Sequence, residues 1–270
     1  MSMSGKLFLL VLLVGLINTC APALAKQIPR RAVKLRDMTV SVNDNKKQYP
    51  LFTGKESPVT IPCGISDFNT LEVDAPVTIE IIGGDSLACT LTGRADQLDL
   101  IVVEMKGETL SVSMRKRVQF EKEQPVRLVI SQPGDGPIKL DIDRDARILL
   151  HKSLHIPSFS LRSTDAAVEI ECPDIETGNV EIKSSGACLI TMKGTADFVA
   201  IDGSGVCIAN LSELKASDVV CNVSGVARCN IYAAYTLKAR ISGTGSIVYH
   251  GNPEQVSKQI LGLGSISGGN

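Results

Sequence analysis

Apolar and polar positions alternate with a long-range period in the C-terminal half of the chain. Gly186, Gly205, Gly225, Gly243 and Gly262 stand 19, 20, 18 and 19 residues apart, and the first four sit in Ser-Gly. Six and four residues before the first four glycines come Val180 and Ile182, Val199 and Ile201, Val219 and Cys221, Leu237 and Ala239. Two, four and six residues after them come Cys188, Ile190 and Met192, then Cys207, Ala209 and Leu211, then Ala227, Cys229 and Ile231, then Gly245, Ile247 and Tyr249. A spacing of two on both sides of the glycine predicts strands with one buried face. The glycine marks a bend where a side chain would obstruct or a positive φ is needed. Each repeat therefore reads as strand, glycine corner, strand and a short polar turn such as Lys193-Gly194-Thr195-Ala196-Asp197.

A repeat of this length has no room for a useful helix plus a strand. Self-similarity at a short fixed period predicts a solenoid, here a parallel β-helix with strands stacked at ~4.8 Å. The final repeat places Lys258 in a core column and fades to Gly264, Ile266 and Gly268, which suits a terminal, capping coil. An earlier, less regular coil fits Phe159 and Leu161 before the corner and Val168, Ile170 and Cys172 after it, so the stack is expected to start near residue 157. Outward positions Lys183, Asp202, Asn222 and Arg240 form a polar ladder that reads as solvated.

The N-terminal half is strand-rich but irregular. Val77-Thr78-Ile79-Glu80-Ile81 alternates, and residues 98–105 and 110–114 flank a hairpin turn at Lys106-Gly107-Glu108-Thr109. Residues 126–130, 138–142 and 148–150 continue the series, with turns at Gly83-Gly84-Asp85 and across residues 133–137. The expected organisation is all-β and two-lobed: an N-terminal extension at 26–64 with one alternating stretch at 38–42, an N-terminal β lobe at 65–156, and the β-helix lobe at 157–270.

The first segment changes the compartment. Lys6 precedes an apolar run of 11 residues ending at Ile17, too short to span a ~30 Å hydrocarbon core as a helix. Ala23-Leu24-Ala25 then supplies the small-x-small pattern of a signal-peptidase site, so residues 1–25 read as a signal peptide. Ile17-Asn18-Thr19-Cys20 loosely resembles a lipoprotein box, but its Asn and Thr match poorly, and plain export is favoured over lipidation at Cys20. No later apolar run is long enough for a transmembrane helix. The protein is expected in the periplasm, outer membrane or at the cell surface.

Composition narrows the partners. Lys+Arg number 28 against 29 Asp+Glu among 270 residues, and this near-neutral balance argues against a nucleic-acid binder. Aromatics are 4% and Trp is absent, which weakens a sugar-stacking platform. Seven cysteines follow the signal: Cys63, Cys89, Cys172, Cys188, Cys207, Cys221 and Cys229. An odd count leaves at least one thiol outside any intrachain pair, and no CxxC or zinc spacing occurs. Five occupy core columns, as small buried apolar residues do. Cys188 and Cys207 share a column in adjacent coils, within disulfide reach, although parallel in-register pairing strains the dihedral and favours free thiols.

Other chemistry is sparse. His151 and His155 form HxxxH, but on a strand they lie ~13 Å apart, too far for one metal. Asp141-Ile142-Asp143-Arg144-Asp145 opens like a calcium loop, yet Ala146 and Lys152 stand where Gly and Glu are needed; the segment reads as a strand with Ile138, Leu140 and Ile142 buried. Gly203-Ser204-Gly205 and Gly262-Leu263-Gly264 read as corners, not phosphate loops, because no helix follows. The acids Asp197, Asp202 and Asp218 share no column. No catalytic, cofactor-binding or metal-ligating residue is assigned, and no binding residue is placed.

Ile65-Ser66-Asp67-Phe68, Leu71-Glu72-Val73 and Val77-Thr78-Ile79-Glu80-Ile81, together with the closing run from Leu237 to Pro253, resemble the head GIN domain family, an autotransporter-type adhesin head. The likeness covers roughly residues 65–270. It implies an exported bacterial envelope protein built as a two-lobed β-solenoid, with no catalytic residues to carry over. The function expected is a non-enzymatic, adhesin-like binding module with a glycan or a host or matrix protein as partner. A polysaccharide-acting β-helix enzyme and a purely structural envelope module stand as alternatives.

Overall fold

The computed structural model describes residues 50–121, 125–133, 136, 138–151 and 154–269. The segment read as a signal peptide, Cys20 and the alternating stretch at 38–42 lie outside the described residues. Those described form an all-β chain dominated by one curled 14-stranded sheet. Among the described residues one short helix, α1 (Ala95–Leu98), interrupts it, so Leu98 starts no strand as the alternation had suggested.

Most neighbouring strands run parallel, and their registers thread two inward columns through the molecule. Strands β3 (Thr70–Val73), β10 (Ile138–Ile142), β12 (Leu154–Ser163), β13 (Ala167–Ser184) and β14 (Ala187–His250) pair in succession. Leu71, Leu140, Leu161, Ile182 and Ile201 lie opposite one another along this series. Strands β4 (Val77–Gly83), β9 (Val126–Gln132) and β11 (Ala146–His151) join them on a second face. There Leu128, Ile79, Ile148, Ile170 and Ile190 form a column that is fully buried. Burying each such side chain contributes roughly 1.5–3 kcal/mol.

Parallel pairing therefore begins well before residue 157, and the boundary at 156 and 157 falls inside β12. The early passes carry no Ser-Gly marker. Between Leu71 and Leu140 the chain also inserts β5 (Ala88–Arg94), α1 and the hairpin of β6 (Ile101–Lys106) and β7 (Thr109–Met114). These insertions hide the period. Gly107, at φ 62°, makes the hairpin turn where the pattern places it.

The segments expected as polar turns also pair. Ile175 lies opposite Gly194 and Thr177 opposite Ala196, and Ile175, Ala196, Leu214 and Ala216 are buried. Each pass thus adds a third short stretch with an inward face. Two inward positions flanked by polar residues are too few to show a period of two.

The reference glycines stack backbone on backbone. A Cβ on Gly205 would lie 2.3 Å from the Gly186 carbonyl oxygen, one on Gly225 2.3 Å from that of Gly205, and one on Gly243 2.0 Å from that of Gly225. Gly205 and Gly225 also hold φ at 111° and 97°. At the C-terminal end, β15 (Gln255–Ile260) and β16 (Leu263–Gly268) pair with β14. Val256 and Ile260 occupy inward register there but are exposed, while the Lys258 ammonium folds to 4.6 Å from the Tyr249 ring centroid.

Gly225→Ala places a methyl group against the Gly205 backbone at a positive φ. We expect a loss of about 3 kcal/mol or more, read as a lowered urea midpoint; an unchanged midpoint would contradict the stacking.

Candidate functional site

The third stretch of successive passes carries a polar groove on its outer side. His155 lies opposite Glu176, and Glu176 opposite Thr195, so their side chains leave the sheet at one level. The alternate residues Ile156, Thr177 and Ala196 turn inward and are buried, as the pleat requires. Asp197, Lys215 and Ser217 extend the same surface, enclosing about 530 Å³.

His155 Nε2 stands 2.9 Å from Glu176 Oε2, and both side chains are about two-thirds exposed, at 68% and 67%. An exposed pair of this kind adds little stability but holds two polar groups in place. Gly178 keeps the floor open: a Cβ there would meet the Pro157 carbonyl oxygen at 3.0 Å and approach Asp197 Oδ2 at 3.8 Å. Lys215 Nζ rests 4.2 Å from the Tyr232 ring centroid. The groove so presents carboxylates, hydroxyls and one ammonium, a set suited to hydrogen-bonding a hydroxyl-rich ligand.

The other residues weighed from sequence separate. His151 Nε2 lies 3.5 Å from Glu80 Oε2, on a different partner from His155. Asp141 stands in strand register between Glu72 and Arg162, and Asp145 Oδ1 accepts the Ala167 N–H at 2.9 Å. Ile138, Leu140 and Ile142 are buried, as a strand there requires. Asp202 sits in the outward ladder opposite Lys183, whereas Asp197 opens into the groove. Among the described residues, no three potential metal ligands converge. The groove itself escaped the sequence reading because its residues come from segments taken as turns.

Residues 67–253 match the family described as "Putative auto-transporter adhesin, head GIN domain". The chain belongs to the head GIN domain family. A "putative adhesin" from Bacteroides fragilis NCTC 9343 shares this head GIN fold at TM-score 0.70 and 20% identity, over 80% of this chain and 99% of that one. A "putative lipid binding protein" from Parabacteroides distasonis ATCC 8503 aligns at TM-score 0.57 and 21% identity, over 82% and 100% of the two chains. A "putative adhesin" from Parabacteroides merdae ATCC 43184 gives 0.58 and 17%, over 82% and 100%. No curated protein matches the sequence. No helix among the described residues is long and apolar enough to cross a membrane.

The interior of this head GIN domain holds a run of thiols. Cys188 and Cys207 meet across adjacent passes, Cys207 also meets Cys229, and Cys229 meets Cys221. All four are buried thiols, in line with the expectation for the Cys188 and Cys207 column. The Cys188 thiol is pushed up by its bond to Cys207 and by burial. For Cys207 the bond to Cys188 is the largest single influence and pulls it down, but Cys229 and burial together outweigh it and push the thiol up. Cys229 behaves alike between Cys207 and Cys221. Burial pushes Cys172 up to about 12.

These shifts set a pH dependence. A thiol raised in the fold ionises first in the unfolded chain, near its ordinary 9.0. Its stabilisation is therefore complete below about pH 9 and is lost as pH rises toward the folded value. Each such thiol removes up to about 1.4 kcal/mol per pH unit in that window. We expect the urea midpoint to fall between pH 8 and pH 10, and to fall less steeply in Cys172→Ala; equal slopes would contradict the assignment.

Proposed function

We propose that the chain is an exported, non-enzymatic, adhesin-like binding module whose groove at His155, Glu176, Thr195, Asp197, Lys215 and Ser217 takes an extended glycan. Its body is a parallel β-solenoid that starts in the N-terminal half and carries coils of about 19 residues from about residue 157 on. Membership of an adhesin-head family and a fold shared with proteins named as adhesins support this reading. The observation that carries it is the groove's course across successive passes. Polar groups repeat there along the stacking direction at ~4.8 Å, on backbones that paired strands hold rigid. A polymer with repeated hydroxyls meets such a row group by group, and preorganised donors and acceptors cost little ordering on binding. The reading of residues 1–25 as a signal peptide and membership of an adhesin-head family support a location at the cell surface, outer membrane or periplasm.

A glycan and matrix-protein array probed with the chain lacking residues 1–25 tests this. We expect retention on a glycan class, and a loss of at least tenfold in affinity for the double variant Glu176→Ala/Asp197→Ala, with Tm held within about 2 °C because both side chains are at the surface. The bound glycan is expected back at its original length. Silence across the array would leave the purely structural module standing. Shortened glycan would favour the polysaccharide-acting enzyme.

A further inference from the structure

The cysteine pair outside the interior run is placed differently. Strand β2 (Pro58–Pro62) is an exposed edge strand that pairs antiparallel with β5, with Pro62 opposite Thr90. One step further the register sets Cys63 opposite Cys89, and the Cys63 N–H donates to the Cys89 carbonyl at 2.8 Å. Opposite residues of antiparallel strands have Cα atoms ~4.5–5.5 Å apart and side chains on the same face. That span lies within the ~4.4–6.8 Å that disulfides use. Cys89 is buried, whereas Cys63 is half-buried and within reach of solvent. The interior thiols, by contrast, are all fully enclosed.

We infer that Cys63 and Cys89 form a disulfide that fastens edge strand β2 to β5. The inference rests on the export reading for its oxidant, a small or protein-borne disulfide of the kind that export compartments maintain. The two thiols already touch; Cys63 accepts from Cys89 and is held below its ordinary value by that bond, so it is the better thiolate. Cys63 gives its proton to solvent, and its thiolate Sγ attacks the donor disulfide, forms a mixed disulfide and releases one donor thiolate. That thiolate takes the Cys89 proton, and Cys89 Sγ then attacks Cys63 Sγ, forming the protein S–S bond and expelling the second donor sulfur as a thiolate, which is protonated from solvent. Two protein thiols are oxidised, and one donor disulfide is reduced to two thiols. Tension on the chain before Cys63 then passes through the S–S bond into β5 and leaves residues 64–88 outside the load path.

The test uses the full chain purified under reduction, incubated with oxidised glutathione, alkylated, digested and mapped by mass spectrometry without reduction. We expect a Cys63 peptide joined to a Cys89 peptide, the loss of two alkylatable thiols, and a Tm roughly 5–10 °C above the reduced protein. Cys63→Ala and Cys89→Ala should each abolish both the cross-link and the Tm gain, and Cys188→Ala should abolish neither. Recovery of Cys63 as a free thiol, as a stable glutathione adduct, or joined to any other cysteine overturns the inference. Bond formation in buffer does not depend on export; failure of the export reading would appear separately, as native protein that retains residues 1–25.

Discussion

Backbone contact at the corner glycines is the constraint on which the remaining geometry depends. Gly205 packs on Gly186, Gly225 on Gly205, Gly243 on Gly225 and Gly262 on Gly243, each so close that a Cβ would overlap a carbonyl oxygen. Once those backbones touch, the distance between passes is the hydrogen-bonding distance of a sheet. The inward side chains on either flank then have no freedom of register. A slip of one residue would turn Val199 and Ile201 out to water and bring Asp202 in.

That constraint also explains what fills the interior. Passes held at sheet distance enclose little volume, so the columns are built mostly from Leu, Ile, Val, Ala and Cys, and Phe159 is the largest fully buried side chain among the described residues. Thiols in such columns meet thiols in the next pass. The buried Ser163 and Ser184 satisfy each other through a hydroxyl bond of 2.8 Å. Outside, the same stacking turns unrelated residues into rows: His155, Glu176 and Thr195 are 21 and 19 residues apart in sequence yet adjacent in space. The groove is thus a product of the stacking.

Much of the second half was legible residue by residue. The corner glycines and the paired columns Val180 with Val199, Ile182 with Ile201, Phe159 with Val180 and Leu161 with Ile182 all follow from spacing. The first half was legible as strands but not as a stack, because β10 returns to β3 only after an insertion of hairpins and a helix that no period spans. The third stretch of each pass was missed for a different reason. Its inward residues, such as Ile175, Ala196 and Leu214, come in ones and twos among Lys, Thr and Asp, and a two-position alternation has no statistical weight.

Sequence alone determined the class of fold, the corners and the slim interior, because each of these is a local demand: a missing Cβ at a fixed interval, or an apolar residue at every second position. Only the tertiary structure decided which distant residues share a surface. The groove and the meeting of Cys63 with Cys89 depend on strand register across tens of residues, and register is set by the sum of many backbone hydrogen bonds rather than by any residue at the site.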